Sequence, residues 1–191
     1  MNLSECKQLL IVGITVLTMG VAVPVDAAGG HSPVLEQDGV IYHVPQIKRV
    51  TVQYSGGSKA QRQYFNLAIK KWNKTKAVHF TEVKTHGVVK VHFSKGFSKT
   101  DSQIGGITLL SANADTGVIV KDNITMYPKR VHELGGRKNA YITADVHELG
   151  HALGLKHDSN AKSVMHATTW VDRLYPITTA NVNAVKFIYH E

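Results

Sequence analysis

The stretch that most constrains this chain is residues 147–158, HELGHALGLKHD. Residues four apart on a helix project in nearly the same direction, so His147 and His151 present two imidazoles to one point. A third ligand cannot come from the same helical surface, and the chain must turn back. Gly154 follows His151 by one short step and can take the positive φ that ends a helix. The turn then carries His157 to the same point. Three neutral imidazoles form a zinc ligand set that leaves a fourth corner for water. Glu148 directly follows the first ligand and has the chemistry of a general base toward that water, then of a proton donor to a leaving amine. The pattern reads as metal-assisted hydrolysis of a peptide bond. A surface helix with satisfied histidines is the plain alternative. The spacing disfavours it, because Gly154 and His157 add constraints that only the metal geometry needs.

The flanking sequence supplies a scaffold. RVTVQY alternates Val50, Val52 and Tyr54 on one face, as a half-buried strand does. After the Gly56–Gly57 turn, Ser58 offers an N-cap, and Phe65, Ala68, Ile69 and Trp72 recur at helical spacing as a core stripe. AVHFTEV and VVKVHFS alternate again, and DSQIGGITLLSANADTGVIVKDNITMYP supplies strand material broken by Gly, Asn and Asp. Ile142, Val146, Leu149 and Leu153 then place one apolar stripe along the histidine-bearing helix, with His147 and His151 on another, outward face. TTANVNAVKFIYH closes the chain with a helix that packs through Val182, Val185, Ile188 and Tyr189. The expected class is α+β: a twisted mixed sheet with a backing helix, an active-site helix and a C-terminal helix.

The first 27 residues do not belong to that domain. Lys7 precedes an apolar run from Leu9 to Val23, and Val25 and Ala27 have the spacing a signal peptidase prefers. The run is short for a membrane span, which needs about 20 residues. Residues 1–27 are therefore expected to be a cleaved signal peptide, 28–46 an N-terminal arm and 47–191 the domain, in a secreted, extracellular protein. The one cysteine, Cys6, falls in the signal, so no disulfide and no thiolate ligand is available beyond it. The formal charge is +8, with the basic residues dispersed along the chain. No nucleic-acid motif accompanies the charge. For an exported protein it suits an anionic cell wall or surface, or simply solubility.

At HELGHALGLKHD the chain resembles the metzincin metallopeptidases, which carry this zinc signature and a methionine turn beneath the metal. SVMHA, shortly after His157, holds Met165 at a fitting place. Within that clan the sequence is most similar to the matrixins, in the form of small secreted bacterial relatives. The resemblance implies His147, His151 and His157 as zinc ligands, Glu148 as general base, Gly154 as the turn glycine and Met165 as the floor of the site. It departs from other branches in two places. Ala167 stands where astacins and serralysins have a tyrosine, and Asp158 resembles the adamalysins, which are cysteine-rich as this chain is not. The propeptide cysteine that blocks the zinc in matrixins has no counterpart here, since Cys6 falls in the expected signal.

The implied activity is that of a secreted zinc endopeptidase, acting on protein or peptide substrates as a monomer. A metzincin binds its peptide as an added strand, and Gly105–Ala112 is the candidate edge. The pocket beyond the scissile bond would lie between the metal helix and HATTWVDRLYP, where Trp170 and Tyr175 are either candidate liners or core residues, and Arg173 nearby is a slight pointer to acidic substrates. Asp101, Asp115 and Asp122 are available to calcium, although loop solvation is the simpler role. His79 and His92 could meet across a strand pair, and His86 lies near them, but no ligand spacing supports a second zinc there. His166 packs beside the methionine turn. The alternative class is a secreted cell-wall- or matrix-binding protein with a structural zinc, which would have no use for Glu148 beside an open corner.

Overall fold

The computed structural model describes residues 8–10, 30–96 and 105–190. The expected signal peptide lies outside these, save for Gln8–Leu10 (β1). Residues 30–46 contain a two-residue hairpin, Glu36–Gln37 (β2) and Val40–Ile41 (β3). Asp38 and Gly39 both have positive φ, the requirement of a tight hairpin turn.

The main sheet has five strands: Val50–Gly56 (β4), Phe80–Val83 (β5), Val89–Phe93 (β6), Gly106–Ala112 (β7) and Ile119–Met126 (β8). Their order is β5-β4-β6-β8-β7. All are parallel except β7, which runs antiparallel to β8 along one edge. Gly106–Ala112 of the expected edge segment Gly105–Ala112 is thus an edge strand among the described residues. Because β4 separates β5 from β6, His79 and His92 do not face each other across a pair; His92 instead lies 3.2 Å from Ser55 Oγ through Nδ1.

One face of the sheet is dry. Val50 and Val52, then Val89, Val91 and Phe93, then Ile124 and Met126 are buried, while Lys90, His92 and Lys121 point to water. That alternation is the period of a strand with one covered face. The cover is helical. Lys59–Lys74 (α1) begins at a capping box, in which Ser58 Oγ accepts from the Gln61 N–H and Gln61 Oε1 accepts from the Ser58 N–H. It buries Phe65, Ala68, Ile69 and Trp72, as the stripe requires. After a short Pro128–Glu133 helix (α2), Lys138–Ala152 (α3) packs against α1, and the Trp72 indole donates to the Val146 carbonyl at 2.9 Å. Thr168–Trp170 (β9) pairs antiparallel with β1, and Thr179–Ile188 (α4) closes the chain.

Two features differ from the sequence reading. The helix α3 is not amphipathic: every residue from Ile142 to Ala152 is buried, the histidines included. The apolar stripe meets α1 and the sheet, and later segments of the chain cover the histidine side. The N-terminal arm is also part of the core, since Val34, Leu35, Tyr42 and Val44 are buried in it.

Asp122 is the outlier of the dry face. It sits between Val89 and Leu110 in register, fully buried, and neither carboxylate oxygen has a hydrogen-bond partner among the described residues. Burial pushes its pKa up to about 8. The folded chain therefore holds a proton that the unfolded chain releases at ordinary carboxylate pH. Asp122 costs nothing extra below about pH 4, and stability drains away as pH rises from about 4 to about 8, where the loss levels off. Asp122→Asn keeps the shape and cannot ionise. In denaturant titrations the variant should gain little at pH 4.5 and about 2–4 kcal/mol over the parent at pH 8. An advantage of equal size at both pH values would contradict this account.

Candidate functional site

The three histidines converge as the spacing predicts. His147 and His151 leave the last two turns of α3, and the backbone then reverses at Gly154, whose φ is +96°. His147 Nε2 lies 2.8 Å from His151 Nε2 and 3.1 Å from His157 Nε2. Among the described residues this is the group of His, Asp or Glu side chains gathered closely enough to share an ion.

The hydrogen bonds fix which nitrogens carry protons. His147 Nδ1 is 2.6 Å from the Val164 carbonyl, and His151 Nδ1 is 2.8 Å from the Leu155 carbonyl. A carbonyl only accepts, so each Nδ1 must donate. Burial, reinforced by the neighbouring histidines, holds both rings neutral, with His151 lowered to about 3 and His147 well below its ordinary value. A neutral ring protonated at Nδ1 has a bare lone pair on Nε2. Two such lone pairs 2.8 Å apart repel, and a cation between them is what satisfies both. A tetrahedral ion with bonds of about 2.0–2.1 Å would hold its nitrogens roughly 3.3 Å apart, close to the spacing observed. The residues fit a metal.

Glu148 points from α3 toward the edge strand. It is fully buried, its Oε2 accepts from Thr108 Oγ1 at 2.6 Å, and its Oε1 has no hydrogen-bond partner among the described residues. Burial raises its pKa to about 8, against the lowering effect of the Thr108 hydroxyl. A cation at the histidines would favour the carboxylate form. Gly106 makes this approach feasible, because a Cβ there would lie 2.8 Å from Glu148 Cγ and 3.0 Å from Oε1. Asp145, one turn earlier on α3, is also buried, and its pKa is raised by burial and by Glu148.

Met165 is fully buried beneath α3, where a side chain at Gly150 would strike its sulfur. His166 hydrogen-bonds through Nδ1 with the Thr168 carbonyl, 2.7 Å away. Thr143, on α3, ties down the segment after it: its hydroxyl donates to the Arg173 carbonyl and accepts from the Tyr175 N–H. Tyr175 belongs to the core, and the Arg173 side chain is exposed beside Asp172. Of Trp170 only the backbone is described.

The aspartates considered for calcium do not assemble. Asp115 is exposed in a turn and Asp122 is buried in β8, neither joins a group that could hold an ion among the described residues, and Asp101 lies outside those residues. Calcium finds no support here. Sequence reasoning missed Thr108, Gly106, Ser32 and Asn181. Only the Gly105–Gly106 pair carried a signal, that of a backbone brought close to a neighbour.

A family model described as Matrixin matches residues 46–190. Two solved structures of myroilysin share the fold, with TM-scores of 0.55 and 0.51 at 14% and 13% identity. The likeness covers 94% and 92% of this chain, and 90% and 100% of the myroilysin chains. No curated protein sequence gives a significant match.

Proposed function

The chain belongs to the matrixin family and is a metalloendopeptidase acting on protein or peptide substrates, and on that premise we propose a zinc-dependent hydrolysis in which His147, His151 and His157 hold the ion and Glu148 is the general base. The observation that carries this reading is the meeting of three Nε2 atoms, two of them with Nδ1 committed to backbone carbonyls. Such a set is built for a borderline cation with nitrogen ligands and an open corner, which favours zinc. When bound, the ion supplies Lewis acidity toward a peptide carbonyl and toward the attacking water.

The chain's own groups do the rest. The Val164 and Leu155 carbonyls hold two imidazoles in their ligating tautomer. Thr108 anchors Oε2 of Glu148, which leaves Oε1 to take the proton of the water and return it to the departing amine nitrogen. Among the described residues β7 has a strand neighbour on one side only, and its other side is suited to an extended peptide added as a further strand. Gly106 keeps that rail close to Glu148.

Removal of the metal tests the reading. Dialysis against a chelator should abolish cleavage of a fluorogenic peptide, and one equivalent of zinc per chain should restore it. Retention of full activity by the metal-free chain would sink the proposal. Export is proposed on the pattern of residues 1–27 alone, and recovery only of unprocessed chain from inside the producing cells would count against it.

A further inference from the structure

A hydrogen-bonded cluster outside the metal site joins three segments far apart in sequence. Asn181, in the first turn of α4, is fully buried and all four of its amide positions are used. Its Oδ1 accepts from the Thr178 N–H at 2.8 Å and from Ser163 Oγ at 3.2 Å. Its Nδ2 donates to Ser32 Oγ at 2.7 Å and to Asp158 Oδ2 at 3.1 Å. Ser32, itself buried, donates its hydroxyl to the same Asp158 oxygen at 3.0 Å and its N–H to the Ala180 carbonyl. Because the Thr178 N–H can only donate, the amide cannot flip, and its NH2 must face Asp158.

Both routes out of this cluster lead to the metal ligands. Asp158 directly follows His157, and its N–H donates to the Met165 carbonyl at 3.0 Å. Ser163 Oγ accepts from the Met165 N–H at 3.0 Å, and Val164 between them orients His147. The arm also grips the ligand turn directly, since the Leu35 N–H donates to the Gly154 carbonyl and the Lys156 N–H to the Pro33 carbonyl.

We propose that Ser32, Asp158 and Asn181 are positioning residues for the third metal ligand: the N-terminal arm and α4 lock the turn that carries His157. The lock rests on the zinc-site reading given above. Its logic is that the turn after Gly154 carries only isolated bridges, Val34 with Leu155 and Asp158 with His166, so the position of His157 depends on what other segments do to its neighbours, Asp158 first among them. A ligand left free to swing lowers metal affinity even when the other two are fixed. Asn at 181 is required specifically, because an aspartate there would set one carboxylate oxygen against another.

The test is a polarity swap. Asn181→Asp is nearly isosteric and turns the Nδ2–Asp158 hydrogen bond into a repulsion. Adding Asp158→Asn restores a donor–acceptor pair in the opposite sense. Zinc affinity, read by competition with a chromogenic chelator, should fall about 10–100-fold in Asn181→Asp, with kcat falling and KM little changed. The double variant should recover to within about threefold, and melting of the metal-free proteins reports folding separately. Should Asn181→Asp fail to fold, Ser32→Ala carries the same test with an expected loss of about three- to tenfold in affinity. Wild-type zinc affinity in a folded Asn181→Asp or Ser32→Ala chain would overturn the proposal, as would a folded double variant no tighter than the single. Affinity is measured without any peptide, so a chain that binds zinc tightly and cuts nothing would discredit the hydrolase reading and leave the lock standing.

Discussion

Glu148→Gln is expected to lower kcat/KM for peptide cleavage by about 10²–10⁴-fold, the usual worth of a general base. Zinc content should stay at one per chain, because Glu148 is no ligand. The substitution preserves shape, and the Thr108 hydroxyl can donate to the glutamine carbonyl as it does to Oε2. What is lost is the ability of the free oxygen to take a proton. Stability should not fall, since burial already opposes ionisation of this side chain and raises its pKa to about 8. A structural role predicts the opposite pairing, with activity kept and stability moved. Steady-state kinetics together with a melting curve separates the two. Near-normal turnover by the zinc-loaded variant would remove Glu148 from the mechanism.

The second large effect concerns the fold that delivers His157. Gly154→Ala should cost about 2–5 kcal/mol, combining a left-handed backbone with a collision in a packed core. The backbone term follows from φ of +96°, and the collision from an added Cβ that would run into the Tyr42 carbonyl oxygen and approach Ile188 Cδ1 at 3.3 Å. For a domain of this size that corresponds to roughly 5–15 °C in Tm. Gly39→Ala is the control: its φ is +79°, yet nothing among the described residues lies within 4 Å of an added Cβ. It should lose only the conformational part, about 1 kcal/mol. Equal losses at the two positions would show that the contact with the arm contributes nothing.

Much of the site was legible because its spacing is dictated by helix geometry. His147 and His151 had to share a direction, and Gly154 had to turn the chain. The strands and α1 were equally readable, since their buried residues alternate with period two or recur along one helical stripe. The environment of the histidines was not readable. Periodicity reports which face is apolar, and it put the histidine side of α3 outward. In the structure Met165 and neighbouring segments cover that side, and the imidazoles are satisfied by carbonyls from Val164 and Leu155. Asn181 was hidden for a related reason. It lies in a helix whose apolar spacing looked complete without it, and its partners Ser32, Asp158 and Ser163 come from separate parts of the chain. The hairpin around Asp38 and Gly39 had a signal, a Asp-Gly pair at a turn, but it sat inside a stretch whose glycine and proline content resembled an arm. The buried Asp122 had none, because a single polar residue in a strand reads as a solvent-facing one.

The most direct test of the central claim is digestion of a mixed library of end-blocked peptides, with new termini identified by mass spectrometry. Blocked ends admit only an endopeptidase. The zinc-loaded chain beginning after Ala27 should open internal bonds, and the chelated chain and zinc-loaded Glu148→Gln should leave the library intact. An intact library with the zinc-loaded chain, or the same cuts from Glu148→Gln, would contradict the assignment of this site to peptide hydrolysis.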